Sequence, residues 1–158
     1  MKNIILKGAS NTGKTHTLKC LINLMLKDPA FKLFDYCRDF FEKLNNHTPN
    51  VYGDMPDVWA KFCCKGIHIL VTTRGDSPSD TINDFKRLKL SCDIFVCACH
   101  DTAKSIDTLK KHIEVTDDDF INKKITLNKI VKDIWEIENN KQAQELFEKI
   151  KNIIKVLV

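Results

Sequence analysis

A run of eight residues near the amino terminus restricts the fold of this chain more than any other feature. Residues 8–15 read Gly-Ala-Ser-Asn-Thr-Gly-Lys-Thr and fit the pattern G-x-x-x-x-G-K-[ST] at every fixed position. With the composition of this chain, the pattern arises by chance in roughly 2 of 1,000 such sequences. An apolar segment at 2–7 precedes it and predicts a buried strand, and a helix with apolar residues at helical spacing is predicted over 14–27. The sequence therefore predicts a strand, a glycine-containing loop and a helix in direct succession.

The residue types in this loop are those that a bound phosphate group requires. Gly8 and Gly13 let the backbone turn tightly and approach a ligand where a Cβ atom would clash. The N–H groups of the loop and of the helix start then form a concave anion site. Lys14 would bridge the β- and γ-phosphates, and the Thr15 hydroxyl would ligate Mg²⁺. His16 follows on the helix, where its presence can be incidental. The candidate nucleotide-binding residues are Gly8, Ala9, Ser10, Asn11, Thr12, Gly13, Lys14, Thr15 and His16.

Through these residues the chain resembles the P-loop NTPase superfamily. The resemblance implies a parallel sheet with the nucleotide at the carboxyl edge of its strands, and the pattern of strands and helices is compatible over roughly residues 1–115. A hairpin before the third strand also looks like the branch of small GTPases and kinases. In addition, the segment Thr73-Arg74-Gly75-Asp76 is similar to the T-x-G-D signature of small uncharacterised bacterial ATP-binding proteins.

The rest of the chain continues the alternation of strands and helices. A helix is predicted over 31–44, with a strand at its beginning as the alternative, and Ser77 is expected to cap the next helix with Pro78 at its first position. The other predicted elements are a hairpin at 58–62 and 67–73, a helix at 77–90, strands at 93–99 and 113–115, and helices at 102–112, 126–138 and 141–157. We expect a single domain over 1–158: a three-layer α/β/α sandwich with a mostly parallel sheet of about five strands and a C-terminal helical pair packed on it.

An acidic residue is expected at the end of the strand that neighbours the first one, where it would hold Mg²⁺ or orient a nucleophile. The segment 67–73 is the candidate neighbour, but it ends in threonine, so Asp76 is the candidate for the metal and catalytic roles. Asp101 is its rival and can instead be a helix N-cap. Arg74 could contact the γ-phosphate, and His100 lies at a strand end on the same edge. The predicted catalytic residues are Lys14, Asp76 and Arg74, and the predicted metal-binding residues are Thr15 and Asp76.

Motifs that the chain lacks narrow the expected nucleotide. The guanine-reading N/T-K-x-D is missing, and Thr72 stands where the GTPase D-x-x-G needs its aspartate before Gly75. The segment 100–124 contains no arginine, which disfavours the arginine-rich lid of nucleoside monophosphate kinases. The sequence thus predicts an ATP- and Mg²⁺-binding protein. ATP hydrolysis is favoured, phosphoryl transfer to a small acceptor is the alternative, and a nucleotide-responsive switch with little intrinsic activity is the third hypothesis.

The composition of the chain restricts its expected binding partners and cellular location. The net charge of +4 comes from 22 Lys and 3 Arg that form no dense basic block, so nucleic acid is disfavoured as a partner. A protein partner or a homodimer through the C-terminal helices is the remaining expectation. Seven cysteines without a C-x-x-C pair indicate reduced, core-forming thiols. No apolar run approaches the roughly 20 residues that span a bilayer, and a cytoplasmic location is expected.

Overall fold

The fold is an α/β arrangement of six strands and five α-helices in the described part of the chain. The computed structural model describes residues 1–9, 12–46, 55–75, 77–88, 92–124 and 132–158. The strands are β1 Lys2–Gly8, β2 Lys32–Tyr36, β3 Trp59–Cys64, β4 Ile67–Thr72, β5 Ile94–His100 and β6 Phe120–Asn122. The helices are α1 Lys14–Lys27, α2 Phe40–Asn45, α3 Pro78–Leu88, α4 Ala103–His112 and α5 Lys132–Leu157.

All six strands belong to one mostly parallel sheet. Their order is β2-β3-β4-β5-β1-β6. β1 pairs in parallel with β5 on one side and with β6 on the other, and β4 pairs in parallel with β5. β3 is antiparallel to both β2 and β4, so it alone runs against the other five strands. The strand that leads into the glycine loop therefore lies inside the sheet rather than at its edge.

Helices cover both faces of the sheet, which gives three layers. Along β5, Ile94, Val96 and Ala98 belong to one apolar core, and Phe95 and Cys97 belong to the other. This alternation follows from the two-residue period of a strand, since successive side chains point to opposite faces. α1, α2 and α5 pack on the first face, and α3 and α4 pack on the second. A strand that is buried on both faces has little room for polar side chains except at its ends.

Several predicted elements agree closely with the structure. The first helix has the predicted bounds, and the hairpin turns at Lys65 and Gly66, whose φ angles are 52° and 81°. Positive φ at both central residues gives the turn that matches the twist of a two-stranded hairpin. The hydroxyl of Ser77 accepts a hydrogen bond from the N–H of Asp80 at 3.4 Å, in agreement with its predicted capping role.

Three predictions about elements are wrong. Residues 31–44 form β2 followed by the short helix α2, so the alternative of a strand at the beginning is correct. Residues 113–115 are not a strand, and the strand beside β1 is β6 instead. The predicted pair of C-terminal helices is a single helix, α5, that runs through the expected break; residues 126–131 of the first predicted helix lie outside the described residues. The helical spacing of apolar residues in this segment predicts that Ile137 and Leu157 face inward, but they are 64% and 42% exposed.

The expected break fails because Asn139 is used as a core residue. Its side chain is 1% exposed, and its Oδ1 accepts a hydrogen bond from the Thr17 hydroxyl of α1 at 3.2 Å. Its Nδ2 lies 3.2 Å from Nδ1 of His16. A buried amide with these partners links α1 to α5, and tertiary packing outweighs the weak helix propensity of asparagine.

Replacing Asn139 by alanine should therefore destabilise the whole domain. The substitution leaves the Thr17 hydroxyl and the His16 ring without this partner inside the core, which costs about 1–3 kcal/mol of unfolding free energy. Urea unfolding followed by circular dichroism measures the change. Asn140→Ala is the matched control, because that neighbouring side chain is exposed and should change stability by no more than about 0.5 kcal/mol. Equal effects of the two substitutions would contradict this role of Asn139.

Candidate functional site

The glycine loop leaves the sheet at the carboxyl end of its central parallel strands. Gly8, the last residue of β1, is in register with His100, the last residue of β5. On the other side, the N–H of Lys123 donates to the carbonyl of Lys7 at 2.7 Å, just after β6 ends. The loop is therefore flanked by the ends of two neighbouring strands, at the edge where α/β proteins bind ligands.

The described residues at the start of the loop bind the ammonium group of Lys14. Its Nζ donates to the carbonyl oxygens of Gly8 at 2.8 Å and Ala9 at 2.7 Å, and the side chain is 6% exposed. The hydroxyl of Thr12 also donates to the carbonyl of Ala9, at 2.8 Å, and closes the turn. Two predicted members of the loop, Ser10 and Asn11, lie outside the described residues. In the described part of the loop, the positive charge of Lys14 lies at the amino-terminal end of α1.

The amino terminus of α1 is arranged to receive an anion. Gly13 is its N-cap, with φ 85° and ψ 20°, a left-handed conformation that favours glycine. No side chain caps the helix at this position, and its first turn contains no acidic residue. The N–H groups of the first turn and the positive end of the helix dipole therefore favour a negative ligand here. Thr15, the predicted metal ligand, is half-buried in this first turn.

A second lysine, Lys123, lies against the same loop and was not predicted. A Cβ on Gly8 would come within 2.9 Å of the Lys123 Cβ, and Lys123 is 5% exposed. Burial lowers the pKa of Lys123 to about 8; the charge of Glu138 on α5 opposes this shift, and that of Lys14 adds to it. Gln142 of α5 fixes the backbone around Lys123, since it bonds the carbonyl of Asn122 and the N–H of Lys124. Two buried lysines thus converge on Gly8.

The prediction that β4 neighbours β1 is wrong, because β5 lies between them. Asp76, the predicted carboxylate after β4, lies outside the described residues. Arg74, the predicted partner of the γ-phosphate, is half-exposed, and its Nη1 lies 3.5 Å from Oδ1 of Asp84, a 2% exposed carboxylate on α3. The structure therefore gives the Arg74 guanidinium a contact with α3.

Gly75 lets the loop after β4 cross closely over β5. A Cβ at this position would lie 2.6 Å from the Ala98 Cβ and 2.9 Å from the Ala98 carbonyl carbon. Contacts this short to backbone atoms exclude a side chain. Steric crowding by Ala98 therefore explains why the third residue of the Thr73-Arg74-Gly75-Asp76 segment is glycine. This crossing brings the loop after β4 toward the strand that pairs with β1.

A carboxylate that the sequence analysis missed lies beside the end of β4. The Oδ1 of Asp57 accepts a hydrogen bond from the Thr73 hydroxyl at 2.9 Å. Because β3 is antiparallel to β4, the residues that precede β3 lie at the same edge of the sheet as the end of β4. No local motif marks Asp57, since only the pairing of the two strands places it there.

A buried lysine on α1 lies in the electric field of this carboxylate. Lys19 is fully buried, and its Nζ donates to the carbonyls of Lys43 at 2.8 Å and Asn46 at 2.9 Å, which end α2. Burial lowers its pKa to about 8, against the opposing charges of Asp57 and Cys37. Its ammonium group therefore both caps α2 and counterbalances the negative charge of Asp57.

The remaining candidate residues lie at the end of β5 and in the first turn of α1. His100 is half-buried at the end of β5, and Asp101 is exposed. The predicted N-cap alternative for Asp101 is wrong, because Thr102 caps α4 and its hydroxyl accepts from the Ser105 N–H at 3.3 Å. His16, predicted in the binding segment, is 4% exposed and is directed at Asn139 of α5.

All seven cysteines are free thiols, in agreement with the prediction from their spacing. Burial raises the pKa of Cys20, Cys92 and Cys99 to about 11 each, so these groups stay protonated at neutral pH. They act as small apolar residues in the core.

Comparisons with protein-family models, with curated proteins and with solved structures find no match to this chain. Among the described residues, no three His, Cys, Asp or Glu side chains form a group that could hold a metal ion. None of the helices in the described ranges has the length and apolar character that a membrane crossing requires.

The buried charge of Lys19 should make stability depend on pH. The unfolded lysine has a pKa near 10.5 and the folded one about 8, so between these pH values the unfolded chain binds more protons. The contribution of Lys19 to the unfolding free energy then rises with pH, by at most about 1.4 kcal/mol per pH unit. Buried thiols with raised pKa values make the unfolding free energy fall as the pH rises. The contribution of Lys19 is therefore measured as the difference in unfolding free energy between wild type and a variant.

We expect wild type to gain stability relative to Lys19→Met as the pH rises from 8 to 10. Urea unfolding at intervals of half a pH unit measures this difference. Lys27→Met changes an exposed lysine at the end of the same helix, and its difference from wild type should stay constant. A Lys19→Met difference that also stayed constant over this range would show that the folded Lys19 titrates normally.

Proposed function

We propose that this protein binds ATP with Mg²⁺ through residues 8–15 and hydrolyses it. The observation that carries the proposal is the match to G-x-x-x-x-G-K-[ST] in a loop between a central parallel strand and a helix, with Lys14 held inside the loop. In this setting Lys14 would leave the loop carbonyls for the β- and γ-phosphates. The N–H groups at the start of α1 would bind phosphate oxygens, and Thr15 would ligate Mg²⁺.

The residues around the loop fit a polyanion. Gly8 lets Thr12 and Lys123 pack closely against the backbone, and Lys14 donates to the Gly8 carbonyl. A triphosphate would neutralise the charges of Lys14 and Lys123 and remove their mutual repulsion. The missing N/T-K-x-D motif favours adenine over guanine.

A nucleotide-responsive switch is the second candidate function. It is favoured by Thr72 and Thr73, which stand at the end of β4, the strand after which the sequence predicts a catalytic acid. Weak intrinsic hydrolysis would then leave the ATP-bound state long-lived, and a partner could respond to it. Phosphate release measured with and without small acceptors separates hydrolysis, transfer and a slow switch.

Lys14→Ala should remove the stabilisation by ATP. For wild type, ATP and Mg²⁺ at 100 times the dissociation constant should add about 2.7 kcal/mol to the unfolding free energy. The variant lacks the charge that meets the phosphates, so its melting temperature should stay the same with and without ATP. A thermal-shift series with ATP, GTP and ADP measures this and ranks the nucleotides.

Lys27→Ala is the matched control, since it removes a lysine of α1 far from the loop and should keep the full shift. If ATP raised the melting temperature of Lys14→Ala by the wild-type amount, the proposed site would be wrong.

The affinity for ATP should fall as the pH rises above 8. A bound triphosphate favours the charged form of Lys123, whose pKa is about 8 beside Glu138 and Lys14, so binding takes up a proton above that pH. The dissociation constant should then increase by at most about tenfold per pH unit. Titration calorimetry from pH 7.5 to 9.5 measures it. Lys123→Met should bind more weakly at pH 7.5 and show a flatter profile; an equally steep profile would assign the proton to another group.

A further inference from the structure

The end of β4 holds two carboxylates, one on each face of the sheet. Val71 packs in the core beneath α1, so by strand alternation Thr72 points to the α3 face and Thr73 points to the α1 face. The Thr72 hydroxyl donates to Oδ2 of Asp84 on α3 at 3.3 Å, and the Thr73 hydroxyl donates to Asp57 at 2.9 Å. Of the two acids, only Asp57 lies on the face where α1 and its loop pack.

Asp57 is held in a fixed position. The Thr73 hydroxyl that binds its carboxylate also accepts a hydrogen bond from the N–H of Val58 at 2.9 Å. The N–H of Thr73 donates to the carbonyl of Val58, also at 2.9 Å, and Thr73 is 1% exposed. Such a network fixes the rotamer of a carboxylate before any ligand arrives, which is what a positioning residue requires. Asp57 itself is half-buried.

Asp57 lies at the end of β4, on the face of the sheet that α1 covers. α1 packs across β1, β5 and β4 and begins at the carboxyl edge of the sheet, where β4 also ends. Lys19, whose charge Asp57 stabilises, follows Thr15 by four residues. Residues four apart lie on the same side of a helix, about one turn from each other. Thr15 and Asp57 therefore border the same corner between the start of α1 and the end of β4.

We propose that Asp57 supplies the carboxylate that positions Mg²⁺ at the nucleotide site, in place of an acidic residue at the end of β4. The proposal rests on the proposed ATP site at 8–15. Thr15 would ligate the ion, and Asp57 would accept hydrogen bonds from water molecules on it. Thr73 follows β4, the strand after which the sequence predicts an acid, and its hydroxyl binds the carboxylate of Asp57, which precedes the antiparallel strand β3. Asp84 is excluded, because it lies on the other face with Arg74.

Titration calorimetry with ATP in Mg²⁺ and with ATP in EDTA tests this role apart from stability and turnover. For Asp57→Asn we expect the dissociation constant of Mg·ATP to rise by about 10- to 100-fold, the usual loss when a group in the outer shell of a metal is removed. The affinity for ATP in EDTA should change by less than about twofold. Thr73→Val, which keeps the carboxylate but releases it, should lose part of the Mg²⁺ effect and provides a second variant if Asp57→Asn does not fold.

Asp93→Asn is the matched control. The Asp93 Oδ2 accepts from the His68 N–H at 2.8 Å at the opposite edge of the sheet, so its loss can cost stability but should leave the Mg²⁺ effect intact. A wild-type Mg²⁺ effect in Asp57→Asn would overturn the proposal, as would a loss that appears in Asp76→Asn instead. If wild type binds no ATP, the proposed function itself fails; if it binds ATP and only the Asp57 result is negative, the function stands.

Discussion

The burial of β1 and β5 on both faces is the constraint on which the rest of the structure depends. Ile4, Ile5, Phe95 and Val96 are 0% exposed, and helices cover them from both sides. A charged group placed between these layers would lose its hydration without compensation. Polar function is therefore confined to the strand ends, and the carboxyl edge gathers the glycine loop, Lys123 and Asp57 because four parallel strands and the start of β3 meet there.

At this edge the fold tolerates an unusual number of buried lysines. Lys14, Lys19 and Lys123 are all at most 6% exposed, and their ammonium groups donate to backbone carbonyls. Carbonyl oxygens accept these hydrogen bonds but carry only partial charges. Asp57 offsets the charge beside Lys19. On the loop side, the proposed triphosphate would offset the charges of Lys14 and Lys123.

How far the sequence predicts the molecule depends on how local each signal is. The bounds of α1 and the Lys65-Gly66 hairpin follow from residues within one turn of each other, and both are found as predicted. The order of the strands in the sheet does not follow from such signals. β5 comes after β1 and β4 along the chain, but it lies between them in the sheet. The expected neighbour of β1 was wrong for this reason.

The same limit explains which site residues were missed. Asp57 and Lys123 carry no motif, and each reaches the loop edge only through strand pairing, β3 on β4 and β6 on β1. The sequence predicts a break between two helices at residues 139–140. Asn139 is instead a buried helical residue, and its partners on α1 are more than 120 residues away along the chain. A carboxylate sought only after a parallel strand would therefore be overlooked here, since Asp57 precedes the antiparallel β3 and reaches the same edge from the opposite direction. A search of the sequence for residues that follow parallel strands depends on the direction in which each strand runs. The chemistry of the site depends only on which side chains the strand ends bring together.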